Sequence, residues 1–386
     1  MRIARVLTRM NLGGPARQVL ASDPLLARRG YELRVFAGAP EPGEGDLFDE
    51  ALRRGIDVVR VPGLRRGWSL SGDLRARAFL KQQFREFQPD IVHSHASKAG
   101  ALARSAARGL AAGRVHTFHG HVLEGYFPAP LARGLIAIER KLARETDRIV
   151  AVSHATADDL VRLGIASEER IVVIPPGVDL DALLELERGA GELQRRLGAP
   201  AQAQLVGVIG RLAPVKAPER ALDVLELLAE RYPLLQLVFV GDGELRGALE
   251  RRIRALPEAL NERAHMLGAV DDVTPLYRDL FGVLLTSQSE GLPVALIEAA
   301  AAALPVVSTR VGGCAEIVAE ERTGYLGESV DELAYGLSRL LDDPAAARAM
   351  GQRARLRVAA RHSAESLAAR LDMLYQAVAQ ERACAS

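Results

Sequence analysis

Cysteine is nearly absent from this chain: Cys314 and Cys384 are the only two. Two thiols cannot build a disulfide framework or a four-ligand zinc site, so a reducing, cytoplasmic setting is expected. Long hydrophobic runs are absent as well. No apolar stretch reaches the ~18 residues needed to cross a bilayer. The start, Met1-Arg2-Ile3-Ala4-Arg5-Val6-Leu7, reads as a strand rather than as the apolar centre of a signal peptide. Aromatic residues are scarce at 4%, with a single tryptophan, Trp68. Neither sign of charge dominates: 50 basic residues face 49 acidic ones, which excludes a general nucleic-acid binder.

What is present is enough for two domains with real cores: 386 residues, 48% of them hydrophobic. Strand-like runs alternate with helical ones, the mark of α/β architecture with parallel sheets. In the first half strands are expected at 3–8, 32–37, 57–61, 91–95, 115–118, 148–152 and 170–174. In the second half apolar runs at 205–209, 237–240, 281–286 and 305–309 read the same way, with a short strand near 265–270. Residues 180–200 look less ordered. Helices are expected over 330–361, and a long amphipathic helix over 363–382.

The most informative stretch is Ser287-Gln288-Ser289-Glu290-Gly291-Leu292-Pro293, between a buried strand and a strong helix pattern at 294–303. Pro293 suits the first helical position, where a missing N–H costs nothing. Glu290 is thereby placed at the carboxyl end of a strand, and Glu298 about two turns into the helix. In open α/β sheets that edge binds ligands. Loop amides and the positive end of the helix dipole favour a phosphate there. Two carboxylates flanking an anion site suit hydroxyl groups on either side of a phosphate, which is the layout of a nucleotide-sugar.

Other strand tips carry chemistry too. Gly210-Arg211 ends one strand and Lys216 follows on the same loop; a rigid guanidinium fork and a mobile ammonium suit a diphosphate. Asn11-Leu12-Gly13-Gly14-Pro15 joins the first strand to a helix beginning at Pro15 or Ala16, and its glycines allow close approach of backbone amides to a ligand. Thr117-Phe118-His119-Gly120-His121 emerges from another strand, and Gly125-Tyr126-Phe127 follows in the same loop. His119 and His121 lack an evident third ligand, so the loop does not recommend a metal. Arg65, Arg66 and Trp68 share one loop, and Arg53, Arg54, Arg104, Arg108 and Arg114 add basic residues in the same half. That set reads either as an ordinary solvated surface or as a face for anionic lipid or a lipid-linked phosphate.

On these residues the chain resembles the retaining glycosyltransferases of family 4. The carried motifs are Glu290-Gly291-Leu292-Pro293-Val294-Ala295-Leu296-Ile297-Glu298, Gly210-Arg211-Leu212 with Lys216, the Gly13-Gly14 loop, the strand-end His119, and Gly312-Gly313 with Glu316. The resemblance implies a GT-B fold: two Rossmann-like domains facing across a cleft, with the C-terminal helix crossing back to the first. The domains would be 1–175 plus 364–386, binding acceptor, and 176–363, binding donor, with a linker at Ile174-Pro175-Pro176-Gly177. It implies retaining transfer of a hexosyl or N-acetylhexosaminyl group from a nucleotide-sugar, UDP-linked in preference to GDP-linked. The acceptor would be a saccharide or lipid-linked saccharide in surface polysaccharide assembly, since the His-Gly-His…Gly-Tyr-Phe form is similar to that of bacterial exopolysaccharide enzymes.

Arg211 and Lys216 would bind the donor diphosphate with Gly13, Gly14 and the amides of Gly291 and Leu292. Glu298 would hold the ribose, Val270 the base through its backbone, and Glu290 and His119 the donor sugar as the catalytic pair. Arg65, Arg66, Trp68 and Tyr126 would serve acceptor or membrane. No cofactor or metal is expected. Two features depart from the family pattern: Pro176 replaces an asparagine and Ala217 replaces a glycine. The absence of an Asp-X-Asp metal signature at a strand end accords with transfer that needs no metal. A GT-B sugar-nucleotide epimerase and a non-catalytic nucleotide-sugar-binding protein are the competing readings. A Rossmann dehydrogenase is disfavoured, because no Gly-X-Gly-X-X-Gly follows the first strand.

Overall fold

The computed structural model describes residues 1–41, 45–120, 128–189 and 191–385. The chain divides into two compact α/β units. The first comprises Met1–Val178 with His362–Ser386, and the second Asp179–Arg361.

The first unit is built on a seven-stranded parallel sheet in the order β3-β2-β1-β4-β5-β6-β7. Its strands are β1 (Arg2–Leu7), β2 (Glu32–Ala37), β3 (Asp57–Arg60), β4 (Ile91–His95), β5 (Gly113–Phe118), β6 (Arg148–Ala151) and β7 (Ile171–Val173). The second unit has six parallel strands in the order β10-β9-β8-β11-β12-β13. These are β8 (Gln204–Ile209), β9 (Leu235–Val240), β10 (Ala264–Gly268), β11 (Gly282–Leu285), β12 (Val306–Thr309) and β13 (Gly324–Gly327). Val, Ile and Leu dominate these strands because both faces of a parallel sheet are covered by helices. Strand order reverses between β1 and β4 in one sheet and between β8 and β11 in the other. Loops part there at the carboxyl edge and leave a place for a ligand.

Helix boundaries follow local chemistry. Ser69, Ser153 and Ser329 cap helices by accepting from Gly72, Thr156 and Glu332 amides. The helix after β1, Gly14–Arg28, begins one residue earlier than the proline suggested. Pro293 is the cap of helix Val294–Ala301 and not its first residue, so Glu298 is the fifth residue, little more than one turn in. Residues 180–200 are more ordered than expected, with helices Asp181–Leu184 and Glu192–Leu197. The start of the second is held by a distant carboxylate: Asp279 accepts from the Gly191 amide at 3.0 Å and the Leu193 amide at 2.8 Å.

The C-terminal helix, Ala364–Ala385, packs on the first unit, as expected. Leu367, Ala368, Leu371, Leu374, Tyr375 and Val378 join a core with Ile3, Ile91, Val115 and Val150. The chain arrives there by a tight crossing. His362 Nδ1 lies 2.9 Å from the Pro176 carbonyl, and the Val178 amide donates to the His362 carbonyl at 2.9 Å. Gly177 sits in this crossing because any Cβ there would lie 2.4 Å from the Ser363 carbonyl oxygen. No helix among the described residues is long and apolar enough to cross a membrane.

Candidate functional site

In the second unit Lys216 and Glu290 meet at the exits of β8 and β11. The chain leaves β8 through Gly210 and Arg211, then turns once as a 3-10 helix over Pro214–Lys216. The β11 exit grips that turn. Thr286 Oγ1 donates to the carbonyls of Lys216 (3.1 Å) and Ala217 (2.9 Å), and the Gln288 amide donates to Val215 (2.8 Å). Held this way, Lys216 reaches across: its Nζ is 2.5 Å from Glu290 Oε1. Ser287 Oγ donates to the same oxygen at 2.6 Å. Glu290 is nearly covered, with 8% of its side chain exposed, while Lys216 keeps 29%. A carboxylate with two donors on one oxygen retains acceptor capacity on the other, and an ammonium retains two N–H groups.

The loop after β12 shapes the other side. Thr309 Oγ1 donates to the Ser287 carbonyl (2.7 Å), and the Gly313 amide donates to Gly291 (2.9 Å). Gly312 adopts φ +49°, and a Cβ on it would fall 1.8 Å from the Glu290 carbonyl oxygen. Only glycine fits both demands, so the Gly312-Gly313 pair sets the shape of the Glu290 loop. Cys314 is fully buried beneath it. Burial, with a lesser push from Glu290, raises its thiol to about 12, so it packs rather than reacts.

Gly291 and Leu292 are buried next to Glu290. Glu298 is buried at 7% exposure and accepts from the Tyr277 hydroxyl at 3.1 Å. Val270 lies two residues past β10, whose last residue, Gly268, accepts from the Gly241 amide at 2.8 Å. Arg211 shares the loop of Lys216 and is half-buried.

In the first unit, Gly13 caps the helix after β1. Its amide donates to Asn11 Oδ1 at 3.2 Å, and Gly14 opens the helix. His119 follows β5 and belongs to a buried polar row that the motif reading missed: Arg5 on β1, His93 and His95 on β4, and Tyr375 on the C-terminal helix. His95 Nδ1 is 2.9 Å from His119 Nε2, and Arg5 Nη2 is 3.2 Å from His95 Nε2. Desolvation first, then the Arg5 charge, lowers His119 to about 3, so its imidazole is neutral at physiological pH. A signal existed: His93 and His95, spaced by two, lie on one face of a strand whose other residues are Ile91, Val92 and Ser94.

The basic surface of this half is smaller than expected. Arg104 is 1% exposed and paired with buried Glu139 at 2.7 Å. It is a core residue, not part of a lipid-facing patch. Arg108 and Arg114 both face Glu145, and Arg53 and Arg54 both face Glu50. Arg65, Arg66 and Trp68 are exposed, Trp68 at 75%, and the next helix adds exposed Leu70 and Leu74. Tyr126 and His121 lie outside the described residues. Among the described residues no group of three His, Cys, Asp or Glu side chains is placed to hold a metal ion.

Residues 12–182 match the family described as Glycosyltransferase Family 4, and residues 190–357 match Glycosyl transferases group 1. The D-inositol 3-phosphate glycosyltransferase of Xylanimonas cellulosilytica is 31% identical over 407 aligned positions, covering 95% of this chain and 92% of that one. The UDP-Gal:alpha-D-GlcNAc-diphosphoundecaprenol alpha-1,3-galactosyltransferase of Escherichia coli is 28% identical, covering 89% and 88%. Among solved structures, Anabaena HepE in complex with UDP-glucose superposes with a TM-score of 0.82 at 20% identity, covering 98% of this chain and all of that one.

Proposed function

Because the chain belongs to glycosyltransferase family 4 and has the two-domain GT-B fold, we propose that it moves a sugar from a nucleotide-sugar, a UDP-sugar before a GDP-sugar, to a saccharide or lipid-linked saccharide with retention of anomeric configuration. The observation that carries this reading is the Lys216–Glu290–Ser287 cluster at the point where strand order reverses. It sets a cation and a carboxylate side by side, as a phosphorylated sugar requires. The UDP-glucose bound to HepE and the UDP-Gal named for the Escherichia coli relative support a uridine donor.

In this mechanism Arg211 and Lys216 neutralise the departing diphosphate, with the amides of Gly291 and Leu292. Charge that develops on the leaving group meets preorganised donors, without need of a metal ion. Lys216 has three N–H groups, so it can keep Glu290 and reach a phosphate oxygen together. Glu290 holds donor-sugar hydroxyls near the reacting carbon, Glu298 holds the ribose, and the backbone at Val270 holds the base. Gly13, Gly14 and His119 take the roles that the family resemblance gives them toward diphosphate and sugar. The acceptor hydroxyl attacks from the side of the leaving group, and the departing phosphate oxygen takes its proton.

The test is a panel of UDP- and GDP-sugars. UDP or a UDP-sugar should raise the unfolding temperature, and UDP should be released when an acceptor is present. The product anomer, read by NMR, should match the donor. An inverted product would refute retention; protection by GDP alone would refute the uridine assignment. Acceptor candidates include inositol phosphate, because relatives are named for it, beside undecaprenyl-linked saccharides. Peripheral membrane contact through Arg65, Arg66, Trp68, Leu70 and Leu74 is part of the same reading. Flotation with anionic vesicles at low salt should capture the protein, and Trp68→Ser should release it.

A further inference from the structure

His119 is chained to a fixed charge through one intermediate ring. Arg5 lies on β1 beside His93 of β4, and His95 of β4 lies beside Thr117 of β5, two residues before His119. One sheet face thus carries a row from Arg5 to His119. The Arg5 guanidinium is 1% exposed, ion-paired with buried Asp23 and bonded to Ser22 Oγ at 2.9 Å. The His95 ring stacks on His93 at 4.3 Å between centroids and meets His119 edge to edge, its plane tilted 27° from that of His119 with centroids 5.2 Å apart. His93 is pinned in turn by the Tyr375 hydroxyl (2.6 Å) and Thr117 Oγ1 (2.7 Å). These rings have little freedom to turn.

Donor and acceptor bookkeeping then fixes the protons. A guanidinium only donates, so His95 Nε2, facing Arg5 Nη2, must present its lone pair. The His95 proton therefore sits on Nδ1 and is donated to His119 Nε2. His119 Nε2 must accept, which leaves the His119 proton on Nδ1. We propose that Arg5 and His95 are positioning residues that lock His119 as the Nδ1–H tautomer, so that it meets the sugar only as a hydrogen-bond donor. Among the described residues no side chain or carbonyl pairs with Nδ1, and His119 is half-buried. The two ring nitrogens point apart, so the N–H turns away from His95. Burial and the Arg5 charge depress the His119 and His95 pKa values, which agrees with two neutral rings.

The consequence is chemical. With its lone pair committed to His95, His119 cannot remove the acceptor's proton and cannot supply one as an acid. It can bind a hydroxyl oxygen through that oxygen's lone pair. The sugar as the group bound rests on the proposed function; the tautomer does not.

The test uses the full chain labelled with 15N-histidine and long-range proton–nitrogen correlation spectra, with His119→Asn identifying the His119 signals. Wild-type His119 should show a pyrrole-type Nδ1 and a pyridine-type Nε2, unchanged from pH 8 to pH 5.5. An Nε2–H tautomer, or protonation within that range, would overturn the proposal. His95→Gln keeps an acceptor for Arg5 and a donor for His119, so it should preserve the tautomer and the donor KM. His95→Leu removes both and should release the tautomer. It should also raise the donor KM by up to about 10-fold, the value of one neutral hydrogen bond. Unaltered kinetics in a folded His95→Leu protein would sink the positioning role. A wild-type protein that transfers no sugar would instead sink the proposed function, with the tautomer still readable.

Discussion

Glu290 accepts from both Lys216 and Ser287 on one oxygen, so each member of the cluster is defined by the other two. Removing the ammonium takes away a charge-assisted donor to the leaving group and leaves a nearly buried carboxylate with less compensation. Lys216→Ala should therefore cost on the order of 2 kcal/mol of transition-state stabilisation, roughly a 30-fold fall in kcat/KM. Steady-state nucleotide release measures it, and near-normal turnover would contradict the diphosphate assignment. Cys314 supplies a second residue-scale expectation. It is buried with its thiol raised to about 12, whereas Cys384 is exposed. A thiol reagent should label one cysteine per native chain quickly and the other only after unfolding; fast labelling of two would refute the packing role. The loop positions of Arg211, Lys216 and Glu290 were legible because charged residues just after apolar runs mark strand tips, whereas Glu298 was read a part-turn too deep into its helix. Ser287 and Tyr277 were not legible, because a hydroxyl's partner is chosen by tertiary placement and leaves no pattern in the chain. Arg104 was misread for the converse reason: its carboxylate, Glu139, stands on another helix.

At the scale of elements, twelve of the thirteen strands were readable to within two residues, since a buried parallel strand is a short run of Val, Ile and Leu between turn residues; β13 (Gly324–Gly327) was missed because Gly-Tyr-Leu-Gly carries no such run. Segments whose order depends on remote groups were not readable. Helix Glu192–Leu197 owes its start to Asp279, more than eighty residues away. The C-terminal helix was visible as an amphipathic pattern, but its role as a structural wall of the first unit comes from packing. Leu371 is 2% exposed in a core that also holds Ile3, Ile91 and Val150. Leu371→Ala should destabilise the first unit by about 2–5 kcal/mol, the usual cost of a large-to-small core change. Denaturant unfolding measures that loss. If the helix were only a peripheral tail, the variant would unfold at the wild-type midpoint.

For the molecule as a whole, the two units differ in how they answer to acid. The first holds His93, His95 and His116 buried, and His119 half-buried, as neutral rings. Desolvation lowers the first three well below the usual histidine value and His119 to about 3. The second unit contains one histidine, His265, which desolvation also lowers. A depressed folded-state pKa means that the unfolded chain binds more protons than the folded one below the unfolded value near 6.5, for His119 down to about pH 3. Stability from these groups is complete above that upper value and is lost as pH falls. The slope approaches about 1.4 kcal/mol per pH unit for each histidine, so several acting together outweigh a single one. Hydrogen-exchange free energies should therefore fall between pH 7.5 and pH 5 far more for amides in β4 and β5 than for those in β8 and β11. His116 Nε2 has no hydrogen-bond partner among the described residues, so His116→Gln alters a ring that the Arg5–His95–His119 row does not use, and it should reduce the acid sensitivity by about one histidine's share. Equal loss of protection in both sheets would mean that these imidazoles take up protons in the folded state, and the neutral row from Arg5 to His119 would fall with that result.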